Sequence, residues 1–152
     1  MFTFQDHEHT LKHIYDDGGR FEAGFDKAAT MGDCVTRAAS IAVFEGDYHE
    51  AHKSLSKISL FFNADYGVVG LLFLIYLRLR GFKLVRKKSK TLNDSMFLEQ
   101  GTRIVFMKLT GRKVFGLFRM GHATTVVDGV VLDTMDARFM DHEVVAVFEK
   151  IG

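Results

Sequence analysis

Hydrophobic positions change their period along this chain, and the change divides it into two halves. From Cys34 to Phe44 a short apolar run reads as a mostly buried helix, ended at Gly46. "DYHE", Asp47 to Glu50, then has the spacing of a capping box: an acceptor at the N-cap and a glutamate three residues on. Tyr48, Ala51, His52, Leu55, Ile58 and Phe62 follow at helical spacing and predict a second, amphipathic helix. "VVGLLFLIYLRL", Val68 to Leu79, is apolar on nearly every side and predicts a third, stopped at Gly81, where a C′ glycine is favoured. Beyond it the pattern becomes that of strands. "FKLVRK", "TRIVFMKL", "RKVFGLFRM", "HATTVV", "VVLDTM" and "EVVAVFEKI" read as strands, and "TLNDSMFLEQG" as a short helix. Asp128-Gly129 lies between two β-branched runs, the strongest short-range hairpin signal. Near the N-terminus, "LKHIYDDGGRFEAGF" holds Asp-Gly-Gly between two mixed runs and suggests another hairpin. The expected fold is a single α+β domain over 1–152, with N-terminal helices packed on a C-terminal antiparallel sheet.

Composition narrows the function classes. Of the 152 residues 47% are hydrophobic, enough for a core, and the formal net charge of +1 supplies no global field toward nucleic acid or an anionic membrane. The one cysteine excludes an intramolecular disulfide framework and a multi-cysteine zinc site. It fits a reducing, cytoplasmic setting, and the polar "MFTFQDHEHTLKH" does not read as a signal peptide. The Val68–Leu79 segment is too short for a span of about 20 residues, so no membrane is expected. A helix apolar all round needs cover on all sides, and a second copy of the chain could supply part of it. "KLVRKKSK" has five basic residues in eight but no interleaved aromatics, so it reads as a lysine-protected edge strand rather than a phosphate-tracking surface. His7, His9 and His13 read as a solvated segment rather than a metal site, and no nucleotide motif or cofactor is indicated.

The candidate chemistry centres on Cys34. Gly32-Asp33 precedes it directly, so the thiol starts a helix, where the positive dipole end favours a thiolate. With Asp128-Gly129 as the turn, Val127 faces Val130 and Thr124 faces Asp133. His122 is then on the face of Thr124, diagonal to Asp133, close enough for the carboxylate to fix the imidazole tautomer. Asp136 is the alternative acid. Asp33 is expected to cap the helix, and Arg37, one turn on, to offset its charge.

"DCVTRA", Asp33 to Ala38, and "GHATTVVDGVVLD", Gly121 to Asp133, together resemble small phage and bacterial proteins carrying DCVxRA and GHxxxVxDGVxxD. The order cysteine, histidine, acid, with the cysteine at a helix start and the others on a later sheet, is similar to the papain-like cysteine peptidase superfamily. The resemblance implies a papain-like fold with Cys34 as nucleophile, His122 as general base and Asp133 as its orienting group. It implies a protein or peptide substrate and, for a phage protein, the host cytoplasm. Three features depart from that pattern: no glutamine precedes Cys34 in "FDKAATMGDC", leaving the Cys34 N–H as one oxyanion donor and Thr30 as a stand-in for the second; Val35 replaces an aromatic; and the third member is an aspartate, Asp133, rather than an asparagine. The expected activity is hydrolysis or acyl transfer at a peptide, isopeptide or amide bond. The alternatives are an inactive papain-like module that holds another protein, and an oligomer built on Val68–Leu79.

Overall fold

The structure is a computed structural model that describes residues 11–25, 33–58, 71–85, 91–92, 100–109, 122–139 and 142–151. Its strands are β1 (Lys12–Tyr15), β2 (Phe82–Val85), β3 (Thr102–Leu109), β4 (His122–Val127), β5 (Val130–Asp133) and β6 (His142–Lys150). The helices are α1 (Cys34–Val43), α2 (Tyr48–Ile58) and α3 (Leu71–Leu79). All the described strands form one sheet in the order β1-β5-β4-β3-β6-β2. Apart from β1, the described α-helices precede the strands, and the fold is of the α+β class expected. Predicted elements within 86–90, 93–99 and 110–121, including "RKVFGLFRM" and most of "TLNDSMFLEQG", lie outside the described residues, as do His7, His9 and Thr30.

One face of the sheet carries the helices. Val35, Ala38, Ala39 and Ala42 of α1 pack with Leu55 of α2 and Phe73 and Leu77 of α3, against Phe82, Ile104, Phe106, Ala123 and Phe148. The small residues of α1 let that helix sit close to β4, and Thr125 Oγ1 donates to the Ala38 carbonyl at 2.8 Å. The other face buries Val105, Met107, Val126, Val131, Val144 and Val147 beneath Leu11, Leu92 and Ala137. Val144 and Val147 share that face, although three residues apart, because the β3–β6 register shifts between Phe106 and Met107.

The Asp128-Gly129 turn forms as expected. Both residues have positive φ, 50° and 79°, the signature of a type I′ turn, and Val127 pairs with Val130. At α2, Asp47 Oδ1 accepts from the Glu50 N–H at 3.0 Å, as an N-cap does. β2 is an outer strand with Lys83 exposed. In α3, Phe73 and Leu77 are buried while Leu74, Ile75 and Leu79 are exposed, and no described helix is long and apolar enough to cross a membrane.

The N-terminal region differs from expectation in two ways. β1 pairs with β5 in parallel, so the sheet is not wholly antiparallel. The Asp-Gly-Gly stretch does not close a hairpin either. Asp16 Oδ1 accepts from the Gly18 N–H (2.8 Å), and the Asp17 carboxylate accepts from Gly19 (3.0 Å) and Phe21 (3.1 Å). These bonds wind the chain into successive turns that lead it onto α1 instead of back along β1. Gly19 has φ 84°, and a Cβ there would lie 2.0 Å from the Gly46 carbonyl oxygen; only glycine permits that approach.

Candidate active site

The site forms where β5 leaves β4. Pairing between them runs from Val127↔Val130 to Thr125↔Leu132, and continuing it sets Thr124 opposite Asp133. In a two-residue hairpin the residues flanking the turn direct their N–H groups at each other, so Val127, Thr125 and Ala123 face β5. At Ala123, β5 has already ended. Its N–H has no ladder partner on that side and hydrogen-bonds the sulfur of Cys34.

His122 is the first residue of β4 and Asp133 the last of β5, both on the face opposite Ala123 and Thr125. The diagonal relation read from the register holds. His122 Nε2 lies 2.5 Å from Asp133 Oδ2, and both side chains are buried. His122 also hydrogen-bonds Cys34, and with Nε2 on Asp133 the nitrogen left for the thiol is Nδ1. Cys34, His122 and Asp133 are thus one connected chain of contacts. Asp136 is not part of it: its carboxylate is held by Arg138 at 2.7 and 2.8 Å. His13 serves the site indirectly, its Nε2 donating to the Asp133 carbonyl at 3.1 Å.

The electrostatics follow from these contacts. Burial pulls the His122 imidazole toward its neutral form, but the hydrogen bonds to Asp133 and Cys34, with their charges, push its pKa from 6.5 up to about 9. Burial pushes the Cys34 thiol up; His122, the Ala123 N–H and the nearby Arg37 outweigh it and hold the thiol below its ordinary value. Burial raises Asp133 as well, and the hydrogen bond and charge of His122 outweigh it, keeping that carboxyl low. All three shifts favour thiolate, imidazolium and carboxylate together. Cys34 as a residue is half-buried, and burial is the largest influence on its thiol.

Asp33 does not cap α1 with its side chain. The carboxylate is fully buried and faces the other way. Arg20 Nη1 meets Oδ2 at 2.7 Å, the Tyr48 hydroxyl donates to Oδ2 at 3.0 Å, and Arg37 Nε meets Oδ1 at 2.9 Å. Arg20 also donates to the Tyr48 oxygen at 2.7 Å and lies over the rings of Phe25 and Tyr48, 5.5 and 5.4 Å from their centroids. The expected offset of Asp33 by Arg37 is present, and Arg20 adds to it. The Asp33 carboxylate therefore leaves the first turn of α1, with the Cys34 N–H, uncapped by that side chain. An N–H there is placed to act as an oxyanion donor.

Arg20 and Tyr48 were not legible as parts of this neighbourhood. Tyr48 has the spacing of an ordinary core position on α2, and Arg20 sits in a turn. Only folding brings both to Asp33. Among the described residues no group of three or more His, Cys, Asp or Glu side chains could hold a metal ion.

Comparison with protein-family models, curated proteins and solved structures finds no match. The chemistry of the site therefore rests on its own geometry.

Proposed function

We propose that this protein is a papain-like, cysteine-dependent hydrolase or acyl transferase acting on a peptide, isopeptide or amide bond. One observation carries the reading: a single buried imidazole bonds Cys34 on one side and Asp133 on the other, with every shift favouring the charged nucleophile. In this mechanism His122 Nδ1 holds the proton taken from Cys34, and Asp133 fixes the ring through Nε2. The thiolate attacks the carbonyl carbon and forms a C–S bond. The oxyanion is met by the Cys34 N–H at the start of α1. His122 returns its proton to the leaving amine as the C–N bond breaks. Water, or an amine, then attacks the thioester with His122 as base, and Cys34 is released.

The test is the rate of iodoacetamide alkylation of Cys34 against pH, in wild type and His122→Ala. A rate that stays high well below pH 8 and collapses in the variant supports a His-activated thiolate. A slow rate unchanged by the substitution removes the catalytic reading. It would favour a non-catalytic fold that binds another protein, in keeping with the lack of a glutamine in the stretch Phe25 to Asp33 just before Cys34.

A further inference from the structure

The nucleophile and the acid stand on elements remote in sequence, so something must fix their relative position. Thr125 ties α1 to the middle of β4, a full turn beyond Cys34. At the catalytic end, the described side chain that joins the first turn of α1 to the end of β5 is Arg37. Its Nε meets Asp33 Oδ1 at 2.9 Å, within its own helix. Its Nη1 donates to Thr134 Oγ1 and lies 3.7 Å from Asp133 Oδ1. Thr134 N–H donates to that same Oδ1 at 2.7 Å. The two oxygens of Asp133 are thereby divided: Oδ1 is claimed by Thr134 and approached by Arg37, and Oδ2 is left for His122 Nε2 at 2.5 Å. Arg37 itself is buried, 5% exposed, so its contacts are not loose surface pairings.

We propose that Arg37 is the positioning residue of this site: by gripping Asp33 with Nε and the Asp133–Thr134 end of β5 with Nη1, it orients Asp133 toward His122 and so sets the reactivity of Cys34. The inference rests on the reading of Cys34 as a His-activated nucleophile. The guanidinium is suited to the task because its rigid fork serves two partners on two elements at once. A lysine could carry the charge but, as a point donor, could not hold both. The charged and titratable groups around this centre, among the described residues, include Asp33 and Cys34 from α1, His13 from β1, Arg20 from the turns after β1, Tyr48 from α2, His122 from β4 and Asp133 from β5. Both arginines pair with Asp33, and Arg37 also reaches Asp133, so Arg37 bridges the two carboxylates.

The experiment measures alkylation of Cys34 by iodoacetamide from pH 5 to 9.5 in the full chain. It compares wild type, His122→Ala, Arg37→Lys, Arg37→Met and Thr134→Val, with a thermal melt of each. Arg37→Met is expected to slow the reaction at pH 6 about tenfold and to move the profile up by about one pH unit. Arg37→Lys should fall between it and wild type. Thr134→Val, which removes one hold and leaves the Arg37–Asp33 pair, should shift the profile the same way by less. A residue that merely stabilises the fold would lower the melting temperature and leave the profile of the folded protein in place; that outcome in Arg37→Met overturns the proposal. If Arg37→Met does not fold, unchanged profiles in both other variants overturn it. An ordinary thiol profile in wild type, indifferent to His122→Ala, would instead sink the catalytic reading itself.

Discussion

Asp133→Asn is the most informative single substitution, because it changes charge and hydrogen-bond direction while keeping the volume. In the native site Oδ1 accepts from the Thr134 N–H at 2.7 Å and faces the Arg37 guanidinium. An asparagine would keep its one oxygen there, since both neighbours are donors. Its NH2 group would then face His122 Nε2. That nitrogen would have to accept, which places the imidazole proton on Nδ1, toward the sulfur. The ring would be in the wrong tautomer to take a proton from Cys34. The size of the effect follows from His122, raised from 6.5 to about 9 with the Asp133 hydrogen bond as the largest cause working against burial. Losing all of that rise would remove about 3 kcal/mol of preference for the imidazolium, roughly 300-fold in its ratio to the neutral ring. The assay is iodoacetamide alkylation followed by intact mass. At pH 6 the variant is expected to react at least about tenfold more slowly than wild type, with about 300-fold as the ceiling. Near pH 9.5, where a thiol ionises unaided, the two rates should converge. Asp133→Ala imposes no tautomer and should slow the reaction less. An Asp133→Asn profile that overlays wild type, in a protein that melts cooperatively, would refute the argument that Asp133 controls the imidazole.

The pH dependence of stability should depend on Cys34 in a particular way. His122, raised from 6.5 to about 9, stabilises the fold fully below 6.5 and loses that contribution as the pH rises through about 9. Cys34, held below 9.0, contributes above 9.0 and loses it as the pH falls through its folded value. Above 6.5 and below about 9, wherever Cys34 is already ionised in the folded protein, folded and unfolded states hold the same number of protons on this pair, so wild type should show no slope from it there. Cys34→Ala should become less stable to urea as the pH rises across that window, and a flat curve would count against the linkage. Tyr48→Phe removes a buried hydroxyl that bridges Arg20 and Asp33, and should cost about 1–3 kcal/mol in urea unfolding. Gly19→Ala should yield little folded protein by circular dichroism, because its Cβ would collide with the Gly46 carbonyl at 2.0 Å.

The legible parts of this molecule are those specified by neighbours in sequence. Asp128-Gly129 imposes a turn, the turn imposes a register, and the register sets His122 diagonal to Asp133; each step spans a few residues. The helix starting at Cys34 and the cap at Asp47 are equally local. What could not be read depends on meetings between distant segments. β1 is four residues long and could pair in either direction; Asp16 N–H, donating to the Asp133 carbonyl at 3.0 Å, belongs to a parallel arrangement no local pattern encodes. Asp33 has the position and residue type of an N-cap, yet two arginines and a tyrosine from three segments draw its carboxylate away. Local propensity was overridden there by a charge that had to be paired once buried.

That override bears on how the site holds its own charges. Two buried carboxylates, Asp33 and Asp133, face two buried guanidiniums, Arg20 and Arg37, through contacts of 2.7 to 3.7 Å. Asp133 is shared: Oδ2 meets His122 Nε2 at 2.5 Å, while Arg37 Nη1 stands off from Oδ1 at 3.7 Å. A proton on His122 is therefore offset by Asp133 and by the Cys34 sulfur, and both raise its pKa. In the reverse direction, a thiolate gains from the imidazolium part of what its burial costs. The two charges thus support each other. The Arg–Asp pairs do more than stitch α1 to the sheet: they neutralise Asp33 and help hold Asp133 where it can support the imidazolium. Arg20→Met would unbalance the set by one positive charge, drawing Arg37 more fully onto Asp33 and away from Asp133. The expected result is slower alkylation at pH 6 from a residue that does not touch Cys34. An unchanged rate in a folded Arg20→Met protein would mean that the four-group balance has no part in setting the nucleophile.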